Sequence, residues 1–197
     1  SGTMTLGGEP YAPRDVYKAI RRGVFYVPED RSRNAIVPLF GVRQNMTLPF
    51  LQVFQQLGIM NVSREQERVR RMIASMGIKC DGEEAEIQSL SGGNQQKVVV
   101  ARWLLEKYDV VILDEPFQGV DIRSRHDIGE YLRQSIGNKS AIVIANDLDE
   151  IIEIADRIVV MNAGQIVGEQ KIEDLNRDEL LHLVSQERQE PVQEEAV

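Results

Sequence analysis

Val110-Val111-Ile112-Leu113-Asp114-Glu115-Pro116 is an unbroken apolar run that ends on two carboxylates and a proline. Consecutive Val, Ile and Leu without polar alternation describe a strand covered on both faces, as in a parallel sheet. Such a strand delivers its last side chains to the carboxyl edge of the sheet, where open α/β folds bind ligands. Comparable runs recur downstream at 141–145 and 158–161, with helix-like segments at 124–136 and 148–155 between them. Upstream, Val24-Phe25-Tyr26-Val27 is closed by Pro28 and opens onto Glu29-Asp30-Arg31. Alternating strand and helix predict an α/β fold with a parallel-sheet core.

The stretch 42–106 breaks the alternation and reads as a helical insert. Ser63 followed by Gln66 has the form of a capping box. Val69, Met72, Ile73 and Met76 fall at i, i+3, i+4 and i+7, a core stripe, and Gly77 suits a C-cap. Further on, Asn162-Ala163-Gly164 predicts a tight turn into a hairpin at the sheet edge. A last helix is expected over about 177–184. At the front, residues 3–6 read as a short strand closing at Gly7-Gly8, and 15–22 as a helix with Val16 and Ile20 on one side. The tail 186–197 is acidic, carries Pro191 and is expected to be disordered.

Composition narrows the function. With 31 acidic residues against 23 basic ones, the net charge is −8, the wrong sign for a nucleic-acid binder. The short basic clusters at 31–33 and 68–71 read as solvated charge. No segment approaches the roughly 18–20 apolar residues of a membrane span, and the front lacks a secretory-signal pattern. A single cysteine, Cys80, cannot form an internal disulfide and suits a reducing compartment. The expectation is a cytoplasmic protein.

A second motif precedes the central strand. In Leu90-Ser91-Gly92-Gly93-Asn94-Gln95-Gln96-Lys97, Ser91 is a good N-cap for the helix that follows. Glycines without Cβ atoms let backbone approach a bulky anion, and the first helical turn presents free N–H groups with the positive end of the dipole. A capped helix after a flexible turn would account for Ser-Gly-Gly equally well. Likewise, many strands end in an acidic turn. Asp114 follows Ser91 by 23 positions, room for one helix and one strand.

The whole string resembles the signature motif of ATP-binding-cassette (ABC) proteins. In particular it is similar to the second cassette of the fused bacterial ATPases that drive monosaccharide importers of the ribose and galactose type. The resemblance covers about 1–184 and implies a P-loop NTPase-like ABC ATPase fold. It implies one domain at 1–185, with a helical subdomain at about 41–105 and a core at about 1–40 and 106–185. Leu113-Asp114-Glu115-Pro116 then looks like the Walker B motif. Asp114, aided by Glu29, would hold Mg²⁺ as a hard oxygen ligand, and Glu115 would orient or deprotonate the attacking water. Phe117-Gln118-Gly119-Val120-Asp121 resembles the D-loop, with Phe117 where threonine is usual and Asp121 expected at a cassette–cassette interface. Ser91, Gly92, Gly93, Asn94 and Gln95, with Asp121 and Asn146, are the residues expected to meet ATP.

Three features depart from the general ABC pattern. The phosphate loop G-x-x-x-x-G-K-[S/T] is absent, and no Gly-Lys pair occurs in the chain. The resemblance places that loop upstream of Ser1, so the chain reads as a cassette without its front end. Glu29 stands where glutamine is expected, and Asn146 where histidine is expected. His126 and His182 fall within predicted helices and replace neither. The second cassettes of the fused sugar-importer ATPases share both changes. A site built on this chain's own Asp114 and Glu115 would therefore be degenerate, because Glu29 repels phosphate and Asn146 cannot act as a base. Since ABC dimers pack head to tail, the intact signature turn would complete the ATP site of the preceding cassette.

The reading is an ATPase subunit of a monosaccharide importer, lying on the inner face of the membrane. Its expected partners are the preceding cassette, transmembrane permease subunits that dock on the helical insert and, indirectly, a periplasmic or extracellular sugar-binding protein. ATP and Mg²⁺ are its expected cofactors. Two alternatives stand beside it. One is a non-transport ABC protein of DNA repair or translation, which a basic groove or a long coiled-coil insert would favour. The other is a catalytically inert half-domain that only dimerises, and the chain by itself is expected not to hydrolyse ATP.

Overall fold

The structure is a computed structural model and describes residues 2–185. It divides into two compact units, residues 1–146 and 147–197. The tail expected at 186–197 lies outside the described residues.

In the first unit, β1 (Thr5–Leu6) and β2 (Glu9–Pro10) pair antiparallel across Gly7 and Gly8. The strand expected at 3–6 is thus one arm of a small hairpin. Next, α1 (Val16–Arg21) starts where the Asp15 carboxylate accepts the Lys18 N–H at 2.8 Å. None of its residues is buried, and Val16 and Tyr17 face solvent, so the apolar side expected for this helix covers no core. β3 (Val24–Val27) then leads into the short α2 (Arg31–Asn34), capped by Asp30.

The helical insert begins with α3 (Val42–Thr47) and a 3₁₀ stretch at Leu48–Phe54. A small hairpin follows, β4 (Gln55–Gln56) with β5 (Ile59–Met60), which the helical pattern of this region does not announce. α4 (Val62–Ser75) starts earlier than the sequence suggests. Asn61 is its N-cap, accepting the Arg64 N–H at 3.1 Å, so Ser63 lies inside the helix and makes no capping box. The stripe of α4 is as expected: Val69, Met72 and Met76 are buried, and Gly77 takes a positive φ of 58° just past its end.

Two polar networks fasten the insert. Asn45, fully buried, donates to the carbonyls of Val37, Phe40 and Gly41 and accepts the Val37 N–H. The Arg102 guanidinium donates to the Asn45 carbonyl at 2.5 Å. Burial alone pushes Arg102 down to about 10, which still leaves it charged at neutral pH. In the second network, Arg43 bridges buried Glu65 at 2.6 Å and Glu84 at 2.7 Å, and Thr47 donates to Glu65.

The insert closes with α5 (Gly92–Leu104), most of whose residues are buried. β6 (Val110–Asp114), α6 (Ile122–Ile136) and β7 (Ser140–Ile144) complete the unit. The sheet is parallel in the order β3-β6-β7, with Tyr26 beside Ile112 and Ile112 beside Ile142. Its two faces differ. Phe25, Val27, Val111 and Leu113 are buried on one face, where Phe25 packs against Phe50 and Trp103 with ring centroids 5.4 Å apart. On the other, Tyr26, Ile142 and Ile144 are about half exposed.

In the second unit, α7 (Leu148–Ile152) precedes β8 (Arg157–Asn162) and β9 (Gln165–Lys171). These strands form a two-stranded antiparallel hairpin; the run at 158–161 does not join the parallel sheet. Ala163 and Gly164 both take positive φ, the turn that matches the natural twist of paired strands. α8 (Arg177–Ser185) buries Leu180 against Ile158 and Val160. Within this unit Arg177 also pairs with Asp149 at 2.6 Å.

Candidate functional site

The signature turn is shaped by its own side chains. Ser91, exposed, caps α5 by accepting the Asn94 N–H at 3.4 Å and the Asn94 side-chain amide at 2.9 Å. Asn94 is buried and accepts the Lys79 N–H at 2.8 Å. The Gln95 amide donates to the carbonyls of Ile87 and Leu90 at 3.2 and 3.1 Å. Asn94 and Gln95 therefore fix the path of the chain into the turn. What the turn offers outward is Ser91.

The two glycines have a use that the sequence does not disclose. A Cβ on Gly93 would lie 2.5 Å from Ser124 Oγ and 2.6 Å from Asp121 Oδ2. A Cβ on Gly92 would lie 2.9 Å from Arg31 Nη2 and 3.5 Å from the Gly119 carbonyl oxygen. Both glycines let the head of α5 sit directly on the turn between β6 and α6. Close packing inside the chain requires them, whatever anion they also admit.

That turn begins at the end of β6. Glu115 sits at a positive φ of 44°, rare for a residue with a side chain, while its N–H donates to the Ile144 carbonyl at 2.8 Å. The extra bond extends the β6–β7 ladder by one residue and turns the chain sharply after Asp114. Phe117 then anchors the turn in the core. Asp121 caps α6, accepting the Ser124 N–H at 2.9 Å and the Ser124 hydroxyl at 2.8 Å. Those bonds, with more distant help from Lys97, hold the Asp121 carboxyl below its ordinary range.

At the carboxyl edge of the sheet Tyr26 reaches across from β3, and its hydroxyl donates to Asp114 Oδ2 at 2.8 Å. This hydrogen bond chiefly, then burial and the charges of Asp114 and Glu29, raises the Tyr26 phenol above its usual value. Glu29 is exposed, and close enough for its charge to be felt at Tyr26. Asn146, which is exposed, follows β7 at the same edge, two residues past the Ile144 that pairs with Asp114. His126 is a residue of α6 and His182 a residue of α8.

Asp114, bonded to the Tyr26 phenol, and Glu29, whose charge reaches it, are two carboxylates at this edge. Among the described residues no group of three or more His, Cys, Asp or Glu gathers. That donor set fits Mg²⁺, which is commonly held by one or two carboxylates with water and substrate phosphates filling the other positions.

The signature turn thus sits on the loop that leaves an acidic strand end, within a parallel α/β sheet. The family model described as "ABC transporter" matches residues 1–118, more than half of the chain. The chain belongs to that family.

Among curated proteins it is 33% identical to the xylose import ATP-binding protein XylG of Photobacterium profundum, over 95% of this chain and 37% of that protein. It is 39% identical to the arabinose import ATP-binding protein AraG of Pseudomonas syringae pv. syringae, over 91% of this chain and 35% of that one. The ribose import ATP-binding protein RbsA of Clostridium perfringens is 35% identical over 93% of this chain and 37% of its own length. The chain therefore spans little more than a third of the relatives it matches. Among solved structures, the dimeric ATP-binding cassette MJ0796, bound to ADP and phosphate in a post-hydrolysis state, superposes with a TM-score of 0.72. At 21% identity, over 87% of this chain and 74% of that one, it supports the fold.

Two residues of the site carry no signal in the sequence. Tyr26 is there one apolar member of a strand, and its hydroxyl gains a meaning only when register places β3 beside β6. Arg31 belongs to a short basic cluster with the pattern of solvated charge, yet it lies against Gly92 and donates to the Gln118 carbonyl at 2.9 Å.

Proposed function

We propose that this chain is part of the ATP-hydrolysing subunit of a bacterial ABC importer for a monosaccharide. In this role it supplies its signature turn to an ATP site shared with the preceding cassette. Residues 1–185 would be the cassette portion, with 41–105 as its helical subdomain. One observation carries the reading. The N-terminus of α5 is capped by an exposed Ser91, while its other signature residues are braced by the chain itself. A rigid, outward-facing helix start is a preorganised anion clamp. Names of relatives that import xylose, arabinose and ribose support the sugar class.

At this chain's own strand end, Asp114 and Glu29 would hold Mg²⁺, which supplies neutralisation of the β- and γ-phosphate oxygens. Glu115 would hold the attacking water, and Asn146 would donate a hydrogen bond to the phosphate but take no proton. Asp121 would lie at the cassette interface. ATP in this site is expected to bind without fast turnover, because a second carboxylate at Glu29 opposes phosphate approach. Permease subunits would dock on the helical insert from the membrane's inner face, with a periplasmic or extracellular sugar-binding protein acting through them.

The test is made with the chain joined to its partner cassette. Ser91→Arg, which fills the clamp with a bulky cation, is expected to lower ATP hydrolysis by about 100-fold. Glu115→Gln is expected to leave most of it. If Glu115→Gln abolishes hydrolysis while Ser91→Arg hydrolyses normally, the assignment is reversed.

A further inference from the structure

Arg31 stands where three parts of the candidate site meet. It begins α2, two residues after Glu29, whose charge reaches the Asp114–Tyr26 pair. Its Nη1 donates to the Gln118 carbonyl at 2.9 Å, within the turn that leaves Glu115. Its Nη2 lies 2.9 Å from the point where a Gly92 Cβ would be, in contact with the head of α5. Gly119, at a positive φ of 65°, lets the turn curl around the same guanidinium, with Nη2 and Nη1 at 3.8 and 4.0 Å from its own missing Cβ. The Nε is buried with no hydrogen-bond partner among the described residues. A guanidinium that leaves a buried donor unsatisfied is held by the fit of its planar head, because an unmade bond of this kind opposes burial.

We propose that Arg31 is a positioning residue. It clasps the signature turn at 91–93 to the turn at 117–120, and so fixes the angle at which Ser91 and the α5 N–H groups face a nucleotide on the partner cassette. Because Arg31 follows Glu29 closely on the chain, the same clasp ties the loop beside this chain's own Asp114 to the clamp aimed at the neighbour's ATP. The two-armed head suits this role, since one arm bonds a carbonyl while the other reaches the glycine. A lysine could keep the bond but not the second contact. The inference rests on the ATP-site reading above, and its test separates the two.

Arg31→Ala, Arg31→Lys, Gly92→Ala and the double variant Arg31→Ala/Gly92→Ala are prepared in the chain joined to its partner cassette. Amide hydrogen exchange without nucleotide reads the clasp, and steady-state ATP hydrolysis reads its purpose. In Arg31→Ala, exchange is expected to rise in both turns, 91–95 and 117–121, while kcat falls by about 10-fold. KM should stay within about twofold, because the loss is one of alignment in the transition state. Arg31→Lys should recover part of kcat. The Gly92→Ala effect on exchange should largely vanish in the Arg31→Ala background, since the new methyl then meets no guanidinium.

Additive effects of the two substitutions, or exchange rising in only one turn, would overturn the clasp. So would an Arg31→Ala protein with lowered thermal stability but normal kcat, which is what a merely structural arginine predicts. A wild-type pair that binds no ATP would bring down the ATP-site reading and the positioning role together, while the exchange cycle still decides the clasp.

Discussion

A phenol bonded to a carboxylate at the end of a strand is a small feature with a measurable signature. Tyr26 donates to Asp114, and that acceptor is the first cause of its raised pKa. A phenolate there would lose the hydrogen bond and face a negative neighbour, so ionisation is delayed to higher pH. Replacing Asp114 by Asn removes the charge and weakens the bond. The alkaline titration of Tyr26, followed by phenolate absorbance and assigned with Tyr26→Phe, should then move down toward the ordinary value of 10.0. An unmoved titration would mean that the two side chains do not meet in solution. The sequence could not supply this pair. Asp114 is legible because an apolar strand with an acidic end has one simple reading. Its partner is hidden, because which residue lies opposite depends on the register between two strands, and the two side chains stand 88 positions apart in the chain.

At the scale of elements, the helical insert is fastened by acidic residues that leave no periodic trace in the sequence. Glu83 and Glu84 sit in the loop before the signature turn, and their pKa values are lowered chiefly by hydrogen bonds from Arg70 and Arg43 respectively. Backbone bonds from Val42 and Arg43 to the carbonyls of Ala85 and Glu83 bind the same loop to α3. The sign of the pH effect follows from the direction of both shifts. A carboxylate whose folded pKa is depressed takes up protons more readily when unfolded, so its contribution is complete above the unfolded value of about 4.3 and is lost as pH falls below it. The loop at 82–86 should therefore loosen on acidification from about pH 5 to about pH 3, seen as faster amide exchange there than in β6. Arg43→Met and Arg70→Met together should remove most of that pH dependence; a loop equally acid-sensitive in the double variant would sink the assignment. The same region shows where periodicity succeeds and where it stops. The α4 stripe is readable because the apolar spacing itself defines a buried face. The cap is not, because Asn61 and Ser63 are both good cap residues, and the choice is made by the hairpin that precedes them. That hairpin, two residues per strand with Leu57 at a positive φ of 53°, is too short to leave a period-2 pattern.

Across the first unit the parallel sheet is well made on one face and bare on the other. Phe25, Val27, Val111 and Leu113 are buried to within a few per cent, while Ile142 and Ile144 are 50% and 48% exposed. Continuous Val and Ile at 141–145 predict a strand enclosed on both faces. It is a strand, but among the described residues it has a pairing partner on one edge only, β6. An apolar edge strand with open N–H and C=O groups is a template for pairing with other chains. The 197-residue chain by itself is therefore expected to associate with its own copies as concentration rises, through β7. Ile142→Lys places a charge on the exposed face without opening the core, so its stability cost should stay within about 0.5 kcal/mol. Light scattering should then show less association than in the wild type. Val111→Lys, one strand inward and fully buried, should instead unfold the protein, because an unpaired charge cannot be accommodated there. If Ile142→Lys unfolds the chain as Val111→Lys does, the open face is part of a core, and the sheet has its full complement of neighbours within these 197 residues.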